Sequence, residues 1–309
     1  MTTISRRGLL LGGAGLLVLS GCAPVASSPT GASKPATPSG PMGISAIPDQ
    51  DPEKLSRLYS SVAERFASAT GLDVNYLPVT DYTAVVRAFE VGDIAIAWMG
   101  GLTGVQARSR VKGATAIAQR DIDAQFHSLF IATIASGLAP ITEADGLSEL
   151  AGHTFTFGSE TSTSGRLMPE YFLKEAKFDL KELRGEPGFS GSHDATIAAV
   201  ASGSFEVGAV NEQVWKKTVE LGEVDLSAVQ VLWRTPGYAD YHWLARPDVD
   251  ETFGAGTLAA VTDMLLGLDA SNSEDAVILD LFGATSFIET KNSNYDQIEA
   301  VAKDLGLLA

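Results

Sequence analysis

The sequence predicts an α/β protein of two similar lobes, each a sheet covered by helices. Three observations carry that reading. Short apolar runs alternate with segments whose apolar residues recur every three or four positions. The joins between them are short and rich in Gly, Pro and Asp. After about residue 135 the alternation starts again, as a second unit of the same design would.

In order, Ile44–Ile47 is a buried strand, and Asp51-Pro52 opens a helix to Thr70 with Asp51 as cap and Pro52 at the first helical position. Leu55, Leu58, Tyr59, Val62 and Phe66 mark its buried face, and Gly71 ends it. Val74–Val79 is a second strand, Thr80-Asp81 caps a helix from Tyr82 to Glu90, and Ile94–Met99 is a third strand. Gly100–Thr103 leads into a short helix through Ser109, and Thr115–Ala118 is a further apolar strand. Such an order predicts a mostly parallel sheet, whose ligands lie beyond the carboxyl ends of its strands. An apolar strand follows between His127 and Ala135. The second unit then gives a helix near Thr142–Leu150, a strand at His153–Phe157 and a helix to Ala176. Ser192-His193-Asp194 opens a helix to Ala201, Phe205–Val210 is a strand, and Asn211-Glu212 opens another helix. Val229–Trp233 and His242–Ala245 are strands, and the rest, to Leu308, is mainly helical. The expected boundaries are 43–134 with 246–309 for the first lobe and 135–245 for the second, with crossovers near 135 and 240.

The start of the chain reads differently. Arg6-Arg7 precedes an apolar stretch to Leu19 that is too short to span a bilayer, the pattern of a signal peptide over residues 1–21, and the arginine pair fits twin-arginine export, with the general secretory route as the alternative. Leu19-Ser20-Gly21-Cys22 has the form of a lipobox, which makes Cys22 the lipid attachment point; cleavage into a free protein is the alternative. Cys22 is also the one cysteine, so no disulfide forms within the chain. Residues 22–42, dominated by Pro, Ser, Thr, Gly and Ala, read as a tether.

Without residues 1–21 the chain carries 20 basic against 38 acidic residues, a net of −18. That field disfavours nucleic acid and anionic lipid as partners. It does not exclude a local anion site, because charges beyond about 8 Å are largely screened at physiological salt.

Phe157–Tyr171 is the stretch richest in chemistry. Thr161, Ser162, Thr163 and Ser164 put four consecutive hydroxyls between a strand and a helix. One caps a helix; four supply a donor array next to free N–H groups at the positive end of the helix dipole. Pro169 lacks an N–H, so the helix has to begin within about a turn of Gly165. His193 at another helix start is a second donor. Tyr82 and Tyr241 flank polar turns, where a phenol can donate to an anion. Glu212 and Asp240 are candidate acceptors for a protonated ligand oxygen or an ammonium group. A hydrolase triad of Ser164, His193 and Asp194 is the competing reading; it lacks the Gly-x-Ser-x-Gly elbow, and adjacent His and Asp point apart. His127, His153, His193 and His242 have no metal-ligand spacing, and no dinucleotide or phosphate-binding glycine loop is present, so no cofactor is expected.

Ala46-Ile47-Pro48-Asp49, Val79–Tyr82, Thr161–Gly165, Phe189–Ala195 and Gly208–Glu212 together resemble the phosphonate/phosphite substrate-binding proteins of ABC importers. Trp98–Ala107 and Thr235–Trp243 are similar to a subgroup labelled selenate-binding. The resemblance implies a type II periplasmic-binding-protein fold, two lobes joined by a two-strand hinge and closing on a tetrahedral oxyanion, with no reaction performed. It implies that Ser162, Thr163 and Ser164 hold ligand oxygens, with His193 opposite and Tyr82 from the first lobe. Where the family has a second aromatic, this chain has Phe126-His127. The expectation is a monomeric, lipid-anchored binding protein serving an ABC permease and ATPase, with a selenate or sulfate ligand, a sensory module or a periplasmic hydrolase as alternatives.

Overall fold

The structure, a computed structural model, describes residues 40–308. The expected signal peptide, Cys22 and most of the tether lie outside those residues. The first strand begins at Met42, the last residue assigned to the tether.

The elements are β1 (Met42–Ala46), α1 (Pro52–Thr70), β2 (Val74–Tyr76), α2 (Tyr82–Val91), β3 (Ile96–Met99), α3 (Gly101–Arg110), β4 (Thr115–Arg120) and β5 (Ser128–Thr133). They continue with β6 (Phe155–Phe157), α4 (Met168–Glu175), β7 (Gly188–Phe189), α5 (His193–Ala201), β8 (Val207–Asn211), α6 (Glu212–Glu220) and β9 (Val229–Arg234). The chain closes with β10 (His242–Ala245), α7 (Val249–Phe253), α8 (Thr257–Leu266), α9 (Ser273–Phe282), β11 (Phe287–Ile288) and α10 (Asp296–Asp304). Local chemistry explains the starts. Asp51 takes the N–H groups of Glu53 and Lys54 ahead of α1, Asp81 takes that of Ala84 ahead of α2, and Gly71 ends α1 with a positive φ of 71°. The segment expected to be helical near Thr142–Leu150 is a run of 3₁₀ turns over Ala144–Leu150.

Two sheets form, in the orders β11-β4-β10-β3-β1-β2 and β7-β6-β8-β5-β9. Each is mixed, not mostly parallel. β1 runs parallel to β2 and β3, and β6 to β7 and β8, whereas β10 and β5 run antiparallel to their neighbours.

These two strands correct the expected lobe boundaries. The expected boundaries place Leu129–Ile134 in the first lobe, but β5 pairs with β8 and β9 in the second sheet. They place His242–Ala245 in the second, but β10 lies between β3 and β4 in the first. Each is the strand made just after the chain crosses over, and it inserts into the sheet it has reached. The crossovers therefore lie near 126 and 238. There Phe126 and Tyr238 exchange backbone hydrogen bonds of 2.8 and 3.0 Å, so the two connections run side by side as a pair.

The cores follow the sheets. One apolar cluster fills the first lobe and two cover the faces of the second sheet. Leu167 and Met168, from the second lobe, are fully buried in the first lobe's cluster, so the two lobes meet across packed apolar contact as well as polar bonds.

Candidate functional site

The hydroxyl run leaves the carboxyl end of β6 and enters a single π-helical turn, Thr163–Leu167, from which α4 continues. Pro169 falls in the first turn of α4, where its missing N–H costs nothing. Ser162 is the cap: its Oγ accepts the Gly165 N–H at 2.9 Å. The N–H groups of Thr163 and Ser164 come before any intrahelical acceptor can reach them. Wider π geometry at this point is a common device for presenting side chains at a site. Gly165 has to be glycine, because a Cβ there would meet Ser162 Oγ at 2.9 Å and the His193 ring at 3.2 Å.

Around this turn the structure gathers Ser162, Thr163, Ser164, His193, Tyr82, Asp240 and Tyr241, each no more than 2% exposed. Thr163 Oγ1 accepts the Leu102 N–H at 3.0 Å, and Asp240 Oδ1 accepts the Gly101 N–H at 2.9 Å, so the start of α3 is met from both lobes. A Cβ on Gly100 would lie 3.0 Å from Thr163 Oγ1 and 3.3 Å from Asp240 Oδ1, which places those two side chains together. Burial pushes the Asp240 carboxyl up to about 7, against the lowering effect of the Gly101 N–H and the Thr163 hydroxyl. Its second oxygen, Oδ2, is buried without a partner among the described residues, as is the Tyr82 hydroxyl beside Ser162.

His193 is fully buried, and burial pulls its pKa down to about 3, so the ring is neutral at physiological pH. Its Nδ1 accepts the Asn211 N–H at 3.3 Å, which puts the ring proton on Nε2. That Nε2–H faces Ser164 Oγ at 3.5 Å and Tyr241 Oη at 3.4 Å. The cluster is thus a set of neutral donors with one spare carboxylate oxygen.

Two expected residues stand apart. Thr161 precedes the cap, half-buried, with its N–H directed to Ser159 Oγ at 3.5 Å. Glu212 is turned away: Arg234 grips its carboxylate with bonds of 2.9 and 3.0 Å, and Lys216 adds a third contact at 3.1 Å. Burial works against ionisation there, but these cations hold its pKa below the usual range. The sequence hides that pairing because it depends on register. Asn211 lies opposite Ser128 and Arg234 opposite Leu129, on either side of β5. Phe126, in place of the family aromatic, packs edge-on to Tyr238 and Tyr241, and His127 bonds the Thr235 carbonyl at 2.7 Å, so both serve the crossovers.

Three participants escaped the sequence reading. Asp49, 4% exposed, accepts the Tyr241 hydroxyl proton at 2.9 Å, and burial pushes its carboxyl up to about 6. Asn211 donates from Nδ2 to the same hydroxyl at 2.9 Å. Arg120 is bound to Asp123 by bonds of 2.7 Å and lies 4.9 Å from the Tyr241 ring centre. Asp49 lies two residues before the α1 cap Asp51, so in the sequence it has the look of one more helix-start residue. Among the described residues no group of three or more His, Cys, Asp or Glu is arranged to hold a metal, and no helix is long and apolar enough to cross a membrane.

Comparison with known proteins defines the class. A family described as "ABC transporter, phosphonate, periplasmic substrate-binding protein" matches residues 44–295. The chain is 41% identical over 263 residues to the probable ABC transporter phosphite binding protein PhnD1 of Prochlorococcus marinus, covering 85% of this chain and 89% of that one. The structure of that PhnD1 in complex with methylphosphonate superposes with a TM-score of 0.84 over 86% of this chain and 98% of that one. The phosphate-import protein PhnD of Mycolicibacterium smegmatis is 26% identical over 207 residues, 62% of each chain. The chain belongs to the phosphonate-binding family of periplasmic substrate-binding proteins of ABC transporters. Its two-sheet architecture is that of the type II periplasmic-binding-protein fold.

Proposed function

We propose that this chain captures a small tetrahedral phosphorus oxyanion, phosphite or methylphosphonate in class, and delivers it to an ABC permease and its ATPase without chemical change. One relative, PhnD1 of Prochlorococcus marinus, described as a probable phosphite binding protein and solved in complex with methylphosphonate, supports the ligand class. One observation in this molecule carries the reading further. The buried hydroxyl turn is accompanied by an unpaired donor, Tyr82 Oη, and an unpaired acceptor, Asp240 Oδ2. Unpaired buried polar atoms are costly, so a ligand that satisfies both is favoured. An oxyanion that still carries an O–H does so. Sulfate and selenate, fully ionised, offer an ionised Asp240 only repulsion.

Ser162, Thr163, Ser164, Tyr82 and the His193 Nε2–H donate to the anion; Asp240 receives its proton. Neutral donors suit an acidic protein, since they need no buried cation. Arg120, the buried cation nearby, is already committed to Asp123. Anchoring through a lipid on Cys22 keeps the protein beside its permease, and labelling by a radiolabelled fatty acid, lost in Cys22→Ser, tests that part. Calorimetry against phosphite, methylphosphonate, 2-aminoethylphosphonate, phosphate, sulfate and selenate tests the ligand. Phosphite or methylphosphonate is expected to bind most tightly. The reading fails if none binds better than about 1 mM, roughly −4 kcal/mol, or if sulfate or selenate leads.

A further inference from the structure

Tyr241 is held on every side. Its ring stacks on Trp98 at 5.7 Å, Phe126 meets it edge-on at 5.5 Å, and the Arg120 guanidinium lies over it. Arg120 is itself pinned by Asp123 and by the Phe282 carbonyl. The hydroxyl is then fully used: its proton goes to Asp49 Oδ2, and its oxygen accepts from Asn211 Nδ2 at 2.9 Å and faces the His193 Nε2–H at 3.4 Å. No proton remains for an anion.

Asp49 and Tyr241 belong to the first lobe; Asn211 and His193 belong to the second. The Asn211 amide cannot turn over, because its Oδ1 takes the Gln213 and Val214 N–H groups at the start of α6, at 2.7 and 3.1 Å. Its NH₂ is therefore presented to Tyr241. The seam continues along the same stretch of chain. The Asp49 carbonyl accepts the His193 N–H at 3.0 Å, and the Asp51 N–H donates to Asp194 Oδ2 at 2.8 Å.

We propose that Asp49 is a positioning residue: by taking the Tyr241 proton it leaves that hydroxyl an acceptor for Asn211, and the resulting bridge ties the lobes together and slows ligand release without touching the ligand. This deepens the oxyanion-binding reading and rests on it for the ligand. The bridge itself does not. An ionised Asp49 can only accept, so the direction of the Tyr241 O–H is set. An amide at that position would offer a donor on one side and a weaker acceptor on the other, and the order of the bridge would be lost.

The test uses the mature chain with Cys22→Ser and nitroxide labels at Ser60→Cys on α1 and Leu226→Cys in the second lobe. Three variants are compared with that parent: Asp49→Asn, Asn211→Ser, which keeps a capping oxygen but lacks the reach, and the double variant. In the parent, label distances form one short population. Each single variant should broaden it toward longer distances, with or without methylphosphonate, and should raise the methylphosphonate dissociation rate about tenfold while the association rate changes less than about twofold. The double variant should add little to either single one, because both break the same bridge. The preference between phosphite and methylphosphonate should be unchanged. Additive effects, unchanged distances, or an altered preference would each overturn the proposal. If the parent binds neither anion, the ligand reading falls, while the distances in the ligand-free protein still decide the bridge. If Tyr241→Phe leaves those distances as in the parent, the bridge is refuted.

Discussion

Thr163 Oγ1 accepts the Leu102 N–H at 3.0 Å, so a hydroxyl from the second lobe ends on the first turn of a helix in the first. The residue read from the sequence as a ligand donor is therefore also a contact between lobes. Its proton is free to serve Asp240 or a ligand.

Thr163→Val keeps the shape and removes both roles. Phosphite or methylphosphonate affinity should fall by about 1–3 kcal/mol, and Thr163→Ser should restore most of it. Calorimetry on the three proteins checks this. Equal affinity for the valine variant would reduce Thr163 to packing.

Gly165→Ala forces a methyl against Ser162 Oγ, Gly158 Cα and His193 Cε1, at 2.9, 3.2 and 3.2 Å. Two of those atoms belong to side chains of the proposed donor set. We expect about 1–3 kcal/mol of lost stability together with weaker anion binding, measured by urea unfolding and titration on one preparation. A stable variant with intact binding would show that the turn yields easily.

Stability should respond to pH in a particular way. Asp49 and Asp240, raised by burial to about 6 and about 7, keep their protons to higher pH in the fold than in the unfolded chain and ionise above those values, so their contribution is present below the unfolded value near 4 and is lost as pH rises through the folded ones. His193 and His242, lowered by burial to about 3, work in the opposite sense: they cost stability as pH falls from about 6.5 toward 3. The two pairs nearly cancel from about pH 5 to 7.5, where the melting temperature should stay nearly flat. Asp240→Asn removes one of the falling contributions, so the melting temperature of that variant should climb from about pH 5 to 6.5. Thermal melts of both proteins across the range decide it; a variant profile as flat as the wild type contradicts the assignment.

Glu212→Gln should leave anion affinity within about twofold, since its carboxylate is spent on Arg234 and Lys216. Arg234 is half-exposed, so the pair contributes only about 0–1 kcal/mol. A tenfold loss of affinity would return Glu212 to the site.

Much of this arrangement is legible in the chain because it is local. Asp51, Asp81 and Ser192 announce helix starts by caps that need only three following residues, and Pro169 limits where α4 begins. The hydroxyl run and His193 are visible for the same reason. Asp49, Asn211 and Arg120 are not, since each gains its meaning from a partner far along the chain: Tyr241 for two of them, and for Arg120 the rings of Trp98, Phe126 and Tyr241. The lobe boundaries failed likewise. An apolar strand looks alike whichever sheet receives it, and only pairing shows that β5 and β10 are each claimed by the sheet across the hinge.

That exchange of strands bears on how the protein is made. β10 lies in the interior of its sheet, between β3 and β4, yet it emerges after every strand of the other sheet has been synthesised. On a growing chain the first four strands wait with a gap between β3 and β4, while residues from about 127 to 236 can assemble as an uninterrupted unit. The later-made half should thus be the earlier to fold. A chain cut near residue 240 should keep a protease-resistant second lobe and leave the first digestible.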